Sequence, residues 1–116
     1  MCSKRYAQLF DRQCGEHQRE HQRCLRKQKL DPLDMKAWYP LCGEAYELET
    51  SCAVQLLRAV DVRCRPALEA AARAPAELRA VGRCMAELQR DKGLRVQADV
   101  AEARERYRLS KQMLAR

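Results

Sequence analysis

Cysteine is the residue type with chemistry to offer in this chain. There are seven, Cys2, Cys14, Cys24, Cys42, Cys52, Cys64 and Cys84, and four of them form two pairs with the same interval, nine residues between Cys14 and Cys24 and nine between Cys42 and Cys52. Thiols at fixed intervals bind metal, shuttle electrons or close disulfides, and the interval discriminates. Cu(I) takes adjacent or closely spaced thiolates, and no Cys-Cys or C-x-C occurs; the CxxC of dithiol redox catalysis is missing too. On a helix Cys14, His17, His21 and Cys24 would share one stripe, but zinc needs four ligands converging in a tetrahedron. Ten residues of helix rise about 15 Å, so Cys14 and Cys24 cannot reach one ion. A half-site of Cys14 with His17, or His21 with Cys24, would need Cys52 or Cys42, which a disulfide would occupy. The expectation is no metal, no cofactor and no catalytic residue, because no Ser/His/Asp set is present either. His17 and His21 read as interfacial polar side chains, His17 beside Glu49.

The elements that position these thiols are helical. Residues 3–29 contain no proline and one glycine and are rich in Gln, Arg, Glu and Lys, all compatible with helix. Residues 41–63 place Leu41, Ala45, Leu48, Cys52, Leu56 and Ala59 at steps of three and four, the period of an amphipathic helix. Between them Asp31-Pro32 and Tyr39-Pro40 read as stops, giving a loop over residues 30–40 and an antiparallel hairpin. In such a hairpin the outer cysteines meet, and so do the inner ones: Cys14 with Cys52, Cys24 with Cys42. The residue numbers of both pairs add to 66, one constant register. A bond within either pair is excluded, since about 15 Å of helix exceeds the roughly 7 Å limit on Cα separation. Each bridge contributes about 3 kcal/mol by loop closure, less for the nested one. The register sets His17 opposite Glu49 and His21 opposite Ala45. Charge agrees: residues 1–30 carry eight basic and three acidic side chains, residues 31–64 three basic and six acidic.

Cys64 and Cys84 flank a break at Ala74-Pro75, with residues 67–73 and 76–90 reading as helix. A third bridge across that turn is one outcome; two reduced thiols buried as small hydrophobes are the other. Cys2 is left over as a free thiol. Tyr6, Leu9, Phe10, Trp38 and Tyr39 read as core or contact residues. Beyond Pro75 the chain reads as helix to Arg116, with Gly82 and Gly93 as weak points, the latter a C-cap or kink. From Val96 onward Val100, Ala103, Tyr107, Ser110 and Leu114 form a narrow seam, expected to dock on a partner because the hairpin's own apolar stripe lies between its two helices. The alternative is that the seam folds back on the hairpin. The fold class is all-α: a disulfide-stapled antiparallel hairpin with an N-terminal extension over residues 1–64, followed by a helical extension over 65–116.

Two CX9C helices joined by a loop resemble the twin CX9C, or CHCH, family of the mitochondrial intermembrane space, over Cys14-GEHQREHQR-Cys24 and Cys42-GEAYELETS-Cys52. Asp31-Pro32 in the loop, and Cys64 eleven residues after Cys52, are similar to the PGIV-type CHCH accessory subunits of respiratory complex I. The loop is longer than in that group, and Ala74 stands where a further cysteine would fall. The resemblance implies oxidation in the intermembrane space, import without a cleaved presequence, and a docking cysteine, Cys14 or Cys52, preceded at −4 and −7 by Phe10 and Ala7 or by Leu48 and Ala45. It implies a structural subunit of a large mitochondrial complex, bound to protein neighbours and peripheral to the inner membrane. Family members also serve as assembly factors and in the mitochondrial ribosome. The net charge of +7 favours the ribosomal option, but the charge is spread out, diluted by acids and without a stacking aromatic set, so no nucleic-acid partner is expected. No apolar run is long enough for a membrane span, Met1 to Phe10 has no apolar signal region, and four unclustered glycines exclude a dinucleotide or P-loop fold.

Overall fold

The computed structural model describes residues 2–115, apart from the side chains of Cys2 and Ser3, so the free thiol expected at Cys2 lies outside the described residues. The chain forms α1 (Cys2–Lys27), α2 (Met35–Arg63), α3 (Arg65–Arg73), a 3-10 turn (Pro75–Glu77), α4 (Leu78–Arg90) and α5 (Val100–Leu114). Helices α1 and α2 lie antiparallel, bridged by Cys14–Cys52 and Cys24–Cys42 with Cα separations of 5.8 Å. Cys64–Cys84 closes a third bridge between the end of α2 and α4. The fold is therefore all-α and disulfide-stapled, as the equal spacing of the cysteines demands, and it is compatible with a CHCH-like domain.

Helix α2 begins six residues earlier than its apolar period indicates, at Met35 rather than 41. Asp34 caps it, its carboxylate accepting from the Ala37 N–H at 3.3 Å, which satisfies one of the orphan amides of a helix start. Pro40 lies inside the helix and does not stop it. It forfeits only the bond to the carbonyl of Lys36, an exposed residue, and Trp38 and Tyr39 beside it are buried. The loop is correspondingly short. Trp38 Nε1 donates to the Pro32 carbonyl at 2.9 Å, and Asp31 accepts from the Leu33 N–H at 3.0 Å. At the other boundary Cys64 ends α2 and precedes α3, whose second residue is Pro66; a proline there starts a helix and cannot continue one.

The helix expected to run from Pro75 to Arg116 is interrupted beside Gly93, the weak point read as a C-cap or kink, and the interruption is longer than a kink. Helix α4 stops at Arg90, and residues 94–99 are neither helix nor turn before α5, with Asp99 extended. Their pattern alternates: Leu94, Val96 and Ala98 pack on the core while Arg95, Gln97 and Asp99 are exposed. That is the period of a strand-like segment with one buried side, written in the sequence as Leu-Arg-Val-Gln-Ala-Asp.

The molecule is a rod of 47 × 26 × 25 Å with two cores. The larger gathers Leu9 of α1, Cys14–Cys52, Leu56 and Val60 of α2, Cys64, and Val81, Met85 and Leu88 of α4. The smaller, toward the hairpin loop, holds Leu25, Trp38, Tyr39 and Cys42. Helix α4 flanks α1, while α5 lies on the opposite flank of α2.

Helix α1 ends through Lys29, which adopts the left-handed conformation (φ 55°) while the Leu30 N–H closes on the Leu25 carbonyl at 3.0 Å. A side chain at that φ carries a steric cost that glycine lacks. Lys29→Gly is predicted to raise stability by about 1 kcal/mol. Chemical denaturation of the oxidised protein measures it, and an unchanged or lowered midpoint would contradict this geometry.

Candidate functional site

The six described thiols all sit in bridges, so the half-sites weighed for zinc, Cys14 with His17 and His21 with Cys24, have no thiolate left. Among the described residues no three His, Cys, Asp or Glu side chains are placed to share an ion. What the staples organise is a contact surface, and its geometry differs from the sequence reading in one instructive respect. Glu49 pairs with His21, not His17: His21 Nδ1 lies 3.0 Å from Glu49 Oε2. Side chains on a helix lean toward its N-terminus, so in an antiparallel pair two long side chains reach toward each other across about one turn. Short cysteines meet in direct opposition; His21 and Glu49 meet one turn off that register. The ring of His21 rests 5.0 Å from Trp38 and 5.6 Å from Tyr46 between centroids. His21 Nε2 and His17 Nδ1 are buried with no hydrogen-bond partner among the described residues.

The seam on α5 finds its neighbour within the chain. Helix α5 runs antiparallel to α2: the Asp99 N–H donates to Ser51 Oγ at 2.8 Å, Arg104 pairs with Glu44 at 3.0 Å, and the Tyr107 hydroxyl donates to the Pro40 carbonyl. Ala103 is fully buried, and the Tyr107 ring centroid is 5.7 Å from that of Tyr39. Val96 packs on the larger core, its N–H donating to Gln13 Oε1 at 2.9 Å. Val100 and Leu114, at the two ends of the seam, remain 42% and 38% exposed. The premise that α1 consumes the apolar surface of α2 is thus corrected. Helix α2 has a second receptive face along Tyr39, Gly43 and Glu47, and α5 covers it.

Gly43 makes this approach feasible. A Cβ there would stand 2.8 Å from Cδ1 and Cε1 of the Tyr107 ring and 3.0 Å from Cε1 of Tyr39, closer than side-chain carbons approach. Beneath the same contact Tyr39 donates to Glu47 Oε1 at 2.7 Å, and both are buried. Burial, reinforced by that carboxylate and opposed by a hydrogen bond with Ser110, lifts the Tyr39 phenol from 10.0 to about 12.

Sequence reasoning missed the residues that carry the chain from α4 to α5. The Arg12 guanidinium donates to the Gln89 carbonyl and, at 3.0 Å, to that of Asp91, satisfying carbonyls that a helix end leaves unpaired. The Gln13 amide donates to the Leu94 carbonyl at 3.2 Å and accepts from Val96, imitating a neighbouring strand. Asp91 accepts from the Gly93 N–H and from Arg63 at 3.1 Å, bonds that hold its carboxyl below the usual range. The alternation over residues 94–99 was the available signal for this strap. Nothing local marks Arg12 or Gln13 among the many polar residues of α1.

Compared with known proteins, the chain matches no family model, no curated protein and no solved structure. No helix among the described residues is long and apolar enough to cross a membrane.

Gly43→Ala is predicted to displace Tyr107 and loosen α5, costing about 1–3 kcal/mol. Hydrogen exchange should quicken in α5 amides with all three disulfides intact; unchanged exchange there would show that the contact is slack. Tyr39 gives a pH dependence. Its folded value lies above the unfolded one, so its contribution is intact below pH 10 and is lost as pH climbs toward about 12, because the unfolded chain gives up its proton first. Denaturation midpoints should fall across that window less steeply in Tyr39→Phe than in the native sequence. Equal slopes would refute the assignment.

Proposed function

We propose that this chain is a structural, non-catalytic accessory subunit of a mitochondrial respiratory-chain complex, complex I foremost, on the intermembrane-space side, where it stabilises neighbouring subunits. The observation that carries this reading is the twin CX9C hairpin closed by Cys14–Cys52 and Cys24–Cys42, the arrangement of the CHCH family. Structural disulfides form and persist mainly in oxidising compartments, and with the described thiols bridged the chain offers support rather than electron transfer. Leu48 and Ala45, which precede Cys52, are half-buried and form the apolar approach that an oxidising receptor would use. Val100, at the exposed start of the α5 seam, is the proposed contact with neighbouring subunits.

The ribosomal alternative draws on the net charge of +7. It is weakened because Arg19, Arg63, Arg65, Arg104, Arg106 and Arg108 all face carboxylates. Affinity isolation from mitochondria followed by mass spectrometry is predicted to recover subunits of one mature respiratory complex. Recovery of ribosomal proteins in a salt- and ribonuclease-sensitive manner, or recovery free of any mature complex, would replace this reading with the ribosomal or the assembly-factor one. Leu48→Asp is predicted to reduce mitochondrial retention several-fold, and normal accumulation would remove the import route.

A further inference from the structure

We propose that the loop end of the rod is a docking surface for an anionic lipid bilayer. Four apolar side chains protrude there: Leu33 is 93% exposed, Met113 70%, Met35 46% and Leu114 38%. They come from two distant stretches of chain. Leu33 and Met35 belong to the loop and the first residue of α2. Met113 and Leu114 close α5, which runs antiparallel to α2 with Tyr107 beside Pro40. Seven further residues of helix rise about 10 Å and bring Leu114 level with the start of α2.

The same end is strongly basic. Arg23, Arg26, Lys27 and Lys29 come from α1 and its exit, Lys36 from α2 and Lys111 from α5. None of the six has an ion-pair partner among the described residues, although Lys111 lies 4.8 Å from the Tyr107 ring centroid. Elsewhere Arg19, Arg63, Arg65 and Arg104 are matched with carboxylates. Two acids are present at the tip, Asp31 and Asp34, and both accept from backbone N–H groups, of Leu33 and Ala37. Six cations therefore stand against two anions over residues 22–36 and 109–115.

Between the last turns of α1 and the loop lies an open cleft of about 470 Å³, with Leu25, Leu30 and Pro32 in its lining beside Arg26 and Lys29. An acidic lipid headgroup is complementary to it: phosphate toward the two cations, glycerol and first methylenes on the apolar lining. The arrangement also argues for a bilayer over a folded partner. The apolar side chains project singly from a loop apex and a helix end, the form suited to insertion among headgroups, with cations behind them to meet anionic phosphates. This surface depends on neither a respiratory complex nor a mitochondrial address, so its test stands apart from that of the function proposed above.

The experiment is co-sedimentation of the oxidised, purified full chain with phosphatidylcholine vesicles, with and without phosphatidylglycerol. Binding to the anionic vesicles alone, weakened by added salt, is expected. Leu33→Asp combined with Met113→Asp, and separately Arg26→Glu combined with Lys29→Glu, should each lower binding by about tenfold or more. Val62→Asp is the control, since Val62 is 68% exposed on the last turn of α2, away from the tip; it should bind like the native chain. All substituted side chains are exposed, and circular dichroism of each variant verifies the fold. Failure to bind anionic vesicles, binding indifferent to headgroup charge, or an equal loss in Val62→Asp would overturn the proposal. So would tip variants that lose an acidic protein partner while the native chain ignores vesicles.

Discussion

The buried Cys14–Cys52 bridge is the constraint on which the rest of the structure depends, because the surface that α1 turns toward α2 is not hydrophobic enough to choose a register by itself. Between Leu9 and Leu25 that surface presents Gln13, His17 and His21, and two of these histidine nitrogens find no partner among the described residues. A polar stripe of this kind tolerates sliding, since hydrophobic matching is what penalises a shift. Two covalent bonds at one register remove that freedom. They also reduce the entropy of the unfolded chain, by about 3 kcal/mol for a loop of this size, in a protein with only six aromatic residues from which to build a core. Once the register is set, the second face of α2 has a fixed position relative to α1, and only then can a strap anchored on α1 deliver α5 onto α2.

The disulfide pairing was legible in the sequence because it follows from two rigid quantities, the rise of a helix and the short reach of a cysteine. Longer side chains escape that logic. Glu49 was assigned to His17 by counting along the backbone, and it meets His21 because both side chains lean toward the N-termini of opposed helices. Pro40 misled for a related reason. Read locally a proline ends a helix, but here it falls where the first turns are already fixed by the Asp34 cap and by the burial of Trp38 and Tyr39. The break at residues 91–99 is marked by Gly93, but its extent is written only as alternation over six residues, too short to stand out within a chain otherwise dense in helix formers.

The third bridge and the helix α5 show opposite balances of local and tertiary information. For Cys64 and Cys84 the sequence left open a bond or two buried thiols, and the bond forms because Pro66 and Pro75 fold α3 and α4 back on one another. For α5 the seam itself was readable but its neighbour was not. Docking requires α2 to lack a side chain at position 43 and to retain a buried Tyr39–Glu47 pair beneath the contact. Gly43 is the sequence mark of that approach, recognisable only once Tyr107 is known to stand against it.

The staples also govern what the loop end can present. Cys24–Cys42 lies about one turn from the loop on α1 and two turns on α2, and the residues between Lys27 and Met35 are held by the left-handed turn at Lys29, the Asp31 and Asp34 carboxylates and the bond from Trp38 to Pro32. Each of these ties occupies a backbone group or an acidic side chain. The side chains of Leu33, Met35, Arg26 and Lys29, apolar or cationic, take no part in these ties. Leu33 is thus 93% exposed on a loop whose own hydrogen bonds hold its backbone in place, an apolar side chain kept in water where a bilayer can take it.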